Sequence, residues 1–183
     1  MNHRHLLDAE PLLSGARFDV LALAYPTRDG RAQQRQVVVP SDAVVILPLL
    51  DRDTVVLIRN ERPAVGKTLW ELPAGTLEPD EDPAQCAARE LLEETGYHAQ
   101  QVQAMTSFYT SPGFCTERMF AYLAQQLTFQ GQNLDDTERI QAEPTGLDQA
   151  LAMIRDNRIQ DGKTIATLLY YMHLQRGEAH GLA

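Results

Sequence analysis

Positive charge is scarce in this chain. Its 183 residues carry 25 Asp and Glu against 16 Lys and Arg, a formal net charge of −9. A non-specific nucleic-acid binder needs a broad basic face, and this balance argues against one. A phosphorylated ligand would have to meet cations placed locally. Cysteine is scarce too, with only Cys86 and Cys115. Two cysteines make no disulfide framework and fit a reducing cytosol. No run of about eighteen apolar residues occurs, so no membrane helix is expected. Asp8 and Glu10 follow Met1-Asn-His-Arg-His at once, which is unlike a signal peptide. The expectation is a cytoplasmic protein with no membrane or nucleic-acid partner. Internal repeats and low-complexity segments are absent as well. What is there is an ordinary apolar fraction of 44%, enough for one domain with a real core.

Hydrophobic patterning gives an alternation of strands and helices. Residues 1–13 read as a poorly fixed arm. Residues 16–25 and 33–39 read as a strand pair joined by the turn Pro26 to Gly30. Ala43 to Leu50 is a continuous apolar run, which suits a buried strand, and Thr54 to Arg59 follows as the next. Residues 60–68 read as a loop. Strands are expected over 101–109 and 118–129, and amphipathic helices over 147–157 and 163–175. This order suits a mixed α/β sandwich with the strands at 43–50 and 54–59 in the middle.

One helix, at residues 83–95, carries unusual chemistry. Asp82 can cap it, Pro83 suits its first turn, and Gly96 can end it in a left-handed conformation. Ala84, Ala87, Ala88, Leu91 and Leu92 form its apolar stripe, and Cys86 among them reads as a small core residue. Glu90 and Glu94 stand at i and i+4, with Glu93 beside them, so three carboxylates crowd one edge. Like charges at that spacing cost an isolated helix roughly 0.2–0.5 kcal/mol per pair. A divalent cation reverses the sign, because carboxylate oxygens are hard ligands of the kind Mg²⁺ or Mn²⁺ prefers. Arg89 reads as pointing elsewhere than Glu90, buttressing a carboxylate from behind.

The surrounding spacing is more telling than the acidic edge alone. Gly75, Glu81, Arg89, Glu90, Leu91, Glu93, Glu94 and Gly96 occupy every fixed position of G-x5-E-x7-R-E-U-x-E-E-x-G-U. The stretch resembles the Nudix box. Its one departure is Tyr97, where the family usually has an aliphatic residue in a packing role. The resemblance implies an α/β class and the Nudix fold, an α/β/α sandwich with a mixed central sheet. It also implies a preceding N-terminal antiparallel hairpin or sheet. That divides the chain into residues 1–40, a dimerisation element in similar enzymes, and residues 41–183, the hydrolase domain. A homodimer is expected on the same analogy.

Site residues follow from matching positions. The resemblance implies metal ligation by the Ala74 carbonyl, Glu90 and Glu94, with Glu93 on a further ion and close to the catalytic chemistry. Glu71, in Trp70-Glu71-Leu72-Pro73-Ala74, is a candidate for metal or sugar binding, or else a surface strand residue. Ser111-Pro112-Gly113-Phe114-Cys115-Thr116-Glu117 looks like the S-P-G-x-x-x-E element of the ADP-ribose pyrophosphatase branch. It implies that Pro112 and Gly113 border the substrate and that Glu117, on a loop able to close, acts on the attacking water. Glu138 is the alternative for that role. Arg62 matches the family's phosphate-binding arginine, and Arg59 and Lys67 are near enough in sequence to assist. Residues 147–164 look like the closing helix pair of that branch, with a packing role.

The expected activity is Mg²⁺-dependent (Mn²⁺ as the alternative ion) hydrolysis of the pyrophosphate bond of a nucleoside diphosphate sugar. ADP-ribose, split into AMP and ribose 5-phosphate, is the first expectation, and GDP-mannose or another nucleotide sugar the alternative. A non-catalytic binding module of the same fold would lack some of the box carboxylates, and this chain has them all.

Overall fold

The computed structural model describes Leu6 and residues 9–179. The first strand, β1 (Glu10–Ser14), lies where an arm is expected from sequence. All five of its residues are exposed, so no alternation betrays it. The other arm residues, 1–5 and 7–8, lie outside the described residues. β1 pairs with β2 (Phe18–Pro26), and β2 with β3 (Ala32–Pro40), as a three-stranded antiparallel sheet.

β4 (Ala43–Pro48) is the hub of the remaining fold, and all six of its residues are buried. It pairs antiparallel with β7 (Ala74–Thr76) and parallel with β9 (Arg118–Phe129). β8 (Tyr97–Tyr109) completes this mixed sheet in the order β7-β4-β9-β8. A second sheet is antiparallel, in the order β10-β5-β6, from β5 (Thr54–Arg62), β6 (Lys67–Glu71) and β10 (Ile140–Gly146). The two central strands of the sequence reading are thus each central, but in different sheets. Strand β10 is not anticipated from sequence. Its Pro144 cannot donate to a ladder, which is tolerated because β10 is an edge strand. The expected loop at 60–68 is shorter, since Asn60, Glu61 and Arg62 pair with Leu69, Thr68 and Lys67.

Period-two alternation along β4 sorts its side chains to two cores. Val45, Leu47 and Leu49 pack with Val55 and Leu57 of β5, and with α2 (Leu147–Arg155) and α3 (Gly162–Ala179). Val44 and Ile46 pack with Cys86, Ala87 and Leu91 of α1 (Pro83–Thr95). Helices therefore cover both faces, as an α/β/α sandwich requires. Helix α1 begins and ends as its sequence predicts. The Asp82 side chain accepts from the amides of Ala84 and Gln85, and Gly96 closes the helix at φ 76°. Among the described residues no helix is long and apolar enough to cross a membrane.

Candidate active site

Strand β7 and helix α1 place the acidic residues. Gly75 lets the helix edge come close, because a Cβ there would lie 1.9 Å from the Glu90 carboxyl carbon. One residue earlier, the Ala74 amide donates to Glu94 Oε2 at 2.8 Å. Glu94 is only 3% exposed, and among the described residues it forms no ion pair. Burial, augmented by the charge of Glu90, pushes its carboxyl up to about 8 despite the Ala74 hydrogen bond. Burial raises the Glu90 carboxyl as well.

Arg89 does meet Glu90, contrary to its expected direction. Its Nη1 donates to Glu90 Oε1 at 2.8 Å and to Glu93 Oε2 at 3.0 Å. Its Nε and Nη2 grip Glu81 at 2.9 and 3.0 Å, which holds the Glu81 carboxyl down to about 2. One guanidinium thus gathers three carboxylates.

A cavity of about 620 Å³ lies against Ala74 and Gly75. Arg62, Glu117, Asp161 and Lys163 also line it. Glu90, Glu93 and Glu94 are not lining residues. Glu94 and Glu90 meet the cavity's border strand at positions 74 and 75, and Glu93 is held by Arg89. Glu117 follows a loop whose backbone is tied to β3: Val38 donates to the Phe114 carbonyl at 2.8 Å, and Thr116 donates to the Val38 carbonyl at 3.0 Å. Pro112 and Gly113 line a second cavity of about 570 Å³, shared with Tyr25 and Arg35 of the N-terminal sheet. Tyr109 borders both cavities.

Other expected residues stand apart. Arg59 is exposed and lies over the Trp70 ring at 5.7 Å, away from the cavity, because alternation along β5 sends it opposite to Arg62. Lys67 reaches Gln160 at 3.4 Å. Glu138 Oε2 accepts from the Asp135 amide at 3.0 Å, within its own loop, yet its charge still reaches Glu90 and Glu94. Glu71 is not a surface strand residue. Its carboxylate is 1% exposed and is held by Arg62 and Lys163.

A NUDIX domain profile matches residues 39–168. The chain belongs to the Nudix family. It is 33% identical over 163 residues to an ADP-ribose pyrophosphatase of Bacillus subtilis (strain 168), covering 88% of each chain. It is 36% identical to a methanol dehydrogenase activator of Bacillus methanolicus, covering 83% of each. A GDP-mannose pyrophosphatase of Citrobacter koseri is 38% identical over 72% of each chain. Among solved structures, an ADP compounds hydrolase superposes with a TM-score of 0.83 over 94% of each chain, at 21% identity. This likeness shows the shared fold.

The chain is a Nudix hydrolase, and enzymes of this family generally use divalent metal ions. The donor set here fits such an ion: carboxylate oxygens of the buried Glu94 and the partly buried Glu90 lie beside the Ala74–Gly75 backbone. Among the described residues, no three acidic, His or Cys side chains already converge as a cage. Glu90 and Glu93 each give one oxygen to Arg89 Nη1, which leaves the second oxygen of each for an ion.

Two charged cavity residues of this Nudix hydrolase escape sequence reasoning. Asp161 and Lys163 lie in a stretch given only a packing role. The available signal is local: Asp161 caps α3, its Oδ2 accepting the Thr164 amide at 2.9 Å, so the residues around it must sit at an ordered helix start.

Proposed function

We propose that this Nudix hydrolase cleaves the pyrophosphate bond of a nucleoside diphosphate sugar, with ADP-ribose giving AMP and ribose 5-phosphate. One observation carries the reading. Arg62 and Glu117 share a cavity with Ala74 and Gly75, the two residues against which Glu94 and Glu90 are held. That joins a phosphate receptor, a carboxylate for water and a hard-oxygen donor set. The likeness to the Bacillus subtilis ADP-ribose pyrophosphatase supports the choice of substrate. The likeness to GDP-mannose pyrophosphatases supports GDP-mannose as the second candidate.

Each residue has a role in this reading. Glu90, Glu94 and the Ala74 carbonyl would hold a divalent ion, with Mg²⁺ the first choice and Mn²⁺ the second, and Glu93 would serve another. Bound divalent ions supply charge neutralisation on the diphosphate and a lowered pKa for the attacking water. Arg62 grips a phosphate through its planar fork. Glu117 holds the water and takes its proton as attack on one phosphorus proceeds. Pro112 and Gly113 border the nucleoside side, next to the N-terminal sheet. That sheet, within residues 1–40, serves as the dimerisation element of a homodimer. Its exposed Leu12, Leu13 and Phe18 support this.

The test is a parallel assay of ADP-ribose and GDP-mannose with Mg²⁺, Mn²⁺ or EDTA, with products separated by ion exchange. AMP and ribose 5-phosphate should accumulate only with a divalent ion. Release of nucleoside monophosphate from neither substrate overturns the reading. Light scattering of the purified protein tests the dimer.

A further inference from the structure

Arg62 has two bonding edges and uses only one. Its Nε donates to Glu71 Oε1 at 2.8 Å, and its Nη2 to Glu71 Oε2 at 2.7 Å. A guanidinium carries five N–H donors in a rigid plane, so the Nη1 side keeps its own two and Nη2 keeps one. Among the described residues, no hydrogen-bond acceptor meets Nη1. The side chain is 40% exposed and lines the larger cavity.

Glu71 is itself fixed from the opposite direction. Lys163 Nζ donates to Glu71 Oε2 at 2.6 Å and to Asp161 Oδ1 at 3.0 Å. Asp161 Oδ2 accepts the Thr164 hydroxyl at 2.6 Å, and that hydroxyl accepts the Leu72 amide at 2.8 Å. One continuous chain of bonds therefore ties β5, β6 and the start of α3 together beneath the cavity. Burying a carboxylate and its partners carries a desolvation cost, and apolar packing of equal volume often stabilises a fold as well or better. Stability is thus a poor reason for this arrangement. Direction is a better one, since Lys163 pins one oxygen of the Glu71 carboxylate independently of Arg62.

We propose that Glu71 is a positioning residue: it holds Arg62 so that the free Nη1/Nη2 edge receives one phosphate of the diphosphate as a bidentate pair, and Lys163 holds Glu71 for that purpose. The inference rests on the nucleoside diphosphate reading above. Glu71 touches no substrate in this scheme. Its replacement acts through Arg62 alone.

The test compares Arg62→Ala, Glu71→Gln and the double variant by calorimetry. The probe is the non-hydrolysable α,β-methylene analogue of ADP-ribose in Mg²⁺. Losing a charge-assisted bidentate pair should weaken binding by about tenfold or more in Arg62→Ala. Glu71→Gln should lose about as much, and the double variant no more than Arg62→Ala alone. In hydrolysis, KM should rise while kcat stays within about threefold, the mark of lost uniform binding. Wild-type affinity in Glu71→Gln, or losses that multiply in the double variant, overturns the proposal. Should Glu71→Gln not fold, Glu71→Asp takes its place, with the charge kept and the arm one methylene shorter. If the wild type binds and hydrolyses no nucleotide sugar, the substrate reading fails by itself. Inorganic pyrophosphate then becomes the probe for the same variants, and its failure to bind the wild type overturns the receptor as well.

Discussion

Gly75 and Glu90 occupy space that cannot hold one more methyl group. A Cβ at position 75 would lie 1.9 Å from the Glu90 carboxyl carbon and 2.0 Å from its Oε1. The obstacle is the end of a flexible side chain, so Gly75→Ala should fold with little loss of stability. Glu90 must move to make room, and it is a proposed metal ligand. Displacing a ligand or its support costs roughly 10–100-fold in metal affinity or activity. Melting and Mg²⁺ titration of this variant check the point. A protein that binds Mg²⁺ as the wild type does would sink it.

Gly96 should behave oppositely. Its φ of 76° is left-handed, and a Cβ there would come within 2.8 Å of the Gln132 amide and the Gly131 carbonyl carbon, both backbone. Gly96→Ala is expected to cost about 2 kcal/mol or more, since both strain and rigid contacts oppose it. The melting temperature should then fall by about 4–8 °C. Metal affinity per folded molecule should hold, because the change lies past the end of the acidic edge. An unchanged melting temperature would contradict this.

The raised carboxyl of Glu94 makes a pH prediction for the metal-free protein. Burial lifts it from 4.5 to about 8, so the folded chain keeps a proton that the unfolded chain has lost. A raised value stabilises below the unfolded pKa and stops doing so as pH climbs through the folded one. In EDTA, stability should therefore fall between 4.5 and about 8. The size is on the order of a few kcal/mol at most. Glu94→Gln should flatten that slope, and Mg²⁺ should flatten it in the wild type. Parallel melting curves for variant and wild type across this range would refute the assignment.

Glu117 and Glu138 separate by position. Glu117 lines the larger cavity, whereas Glu138 bonds back to its own loop. Glu117→Gln should lower kcat by about 10²-fold or more with little change in KM, the usual scale for a lost acid–base group. Glu138→Gln should stay within about threefold, as surface changes away from the chemistry do. Steady-state rates at saturating Mg²⁺ decide between them, and the reverse ranking would move the role to Glu138.

The acidic helix was readable because its signals are local. Asp82, Gly96 and the apolar stripe lie within one turn-by-turn pattern, and the structure reproduces both caps. The buried run at β4 was readable for the same reason. Strand β1 was not, because an exposed strand has no face to alternate. Arg59 and Arg62 look equivalent as letters near a strand end. Alternation separates them only because β5 runs on through Arg62, where a loop is expected from sequence. Glu71 reads as a metal or sugar ligand or a surface strand residue until α3 is brought to it, and Lys163 lies 92 positions away. Contacts of that separation leave no periodic trace.

The bond from the Leu72 amide to the Thr164 hydroxyl spans the same 92 positions. A nascent chain can carry the whole acidic helix out of the ribosome while Glu71 still lacks the lysine that fixes it. The chain of bonds around Glu71 is thus complete only once synthesis has passed residue 164. Until then the carboxylate that faces Arg62 has no lysine to set its direction.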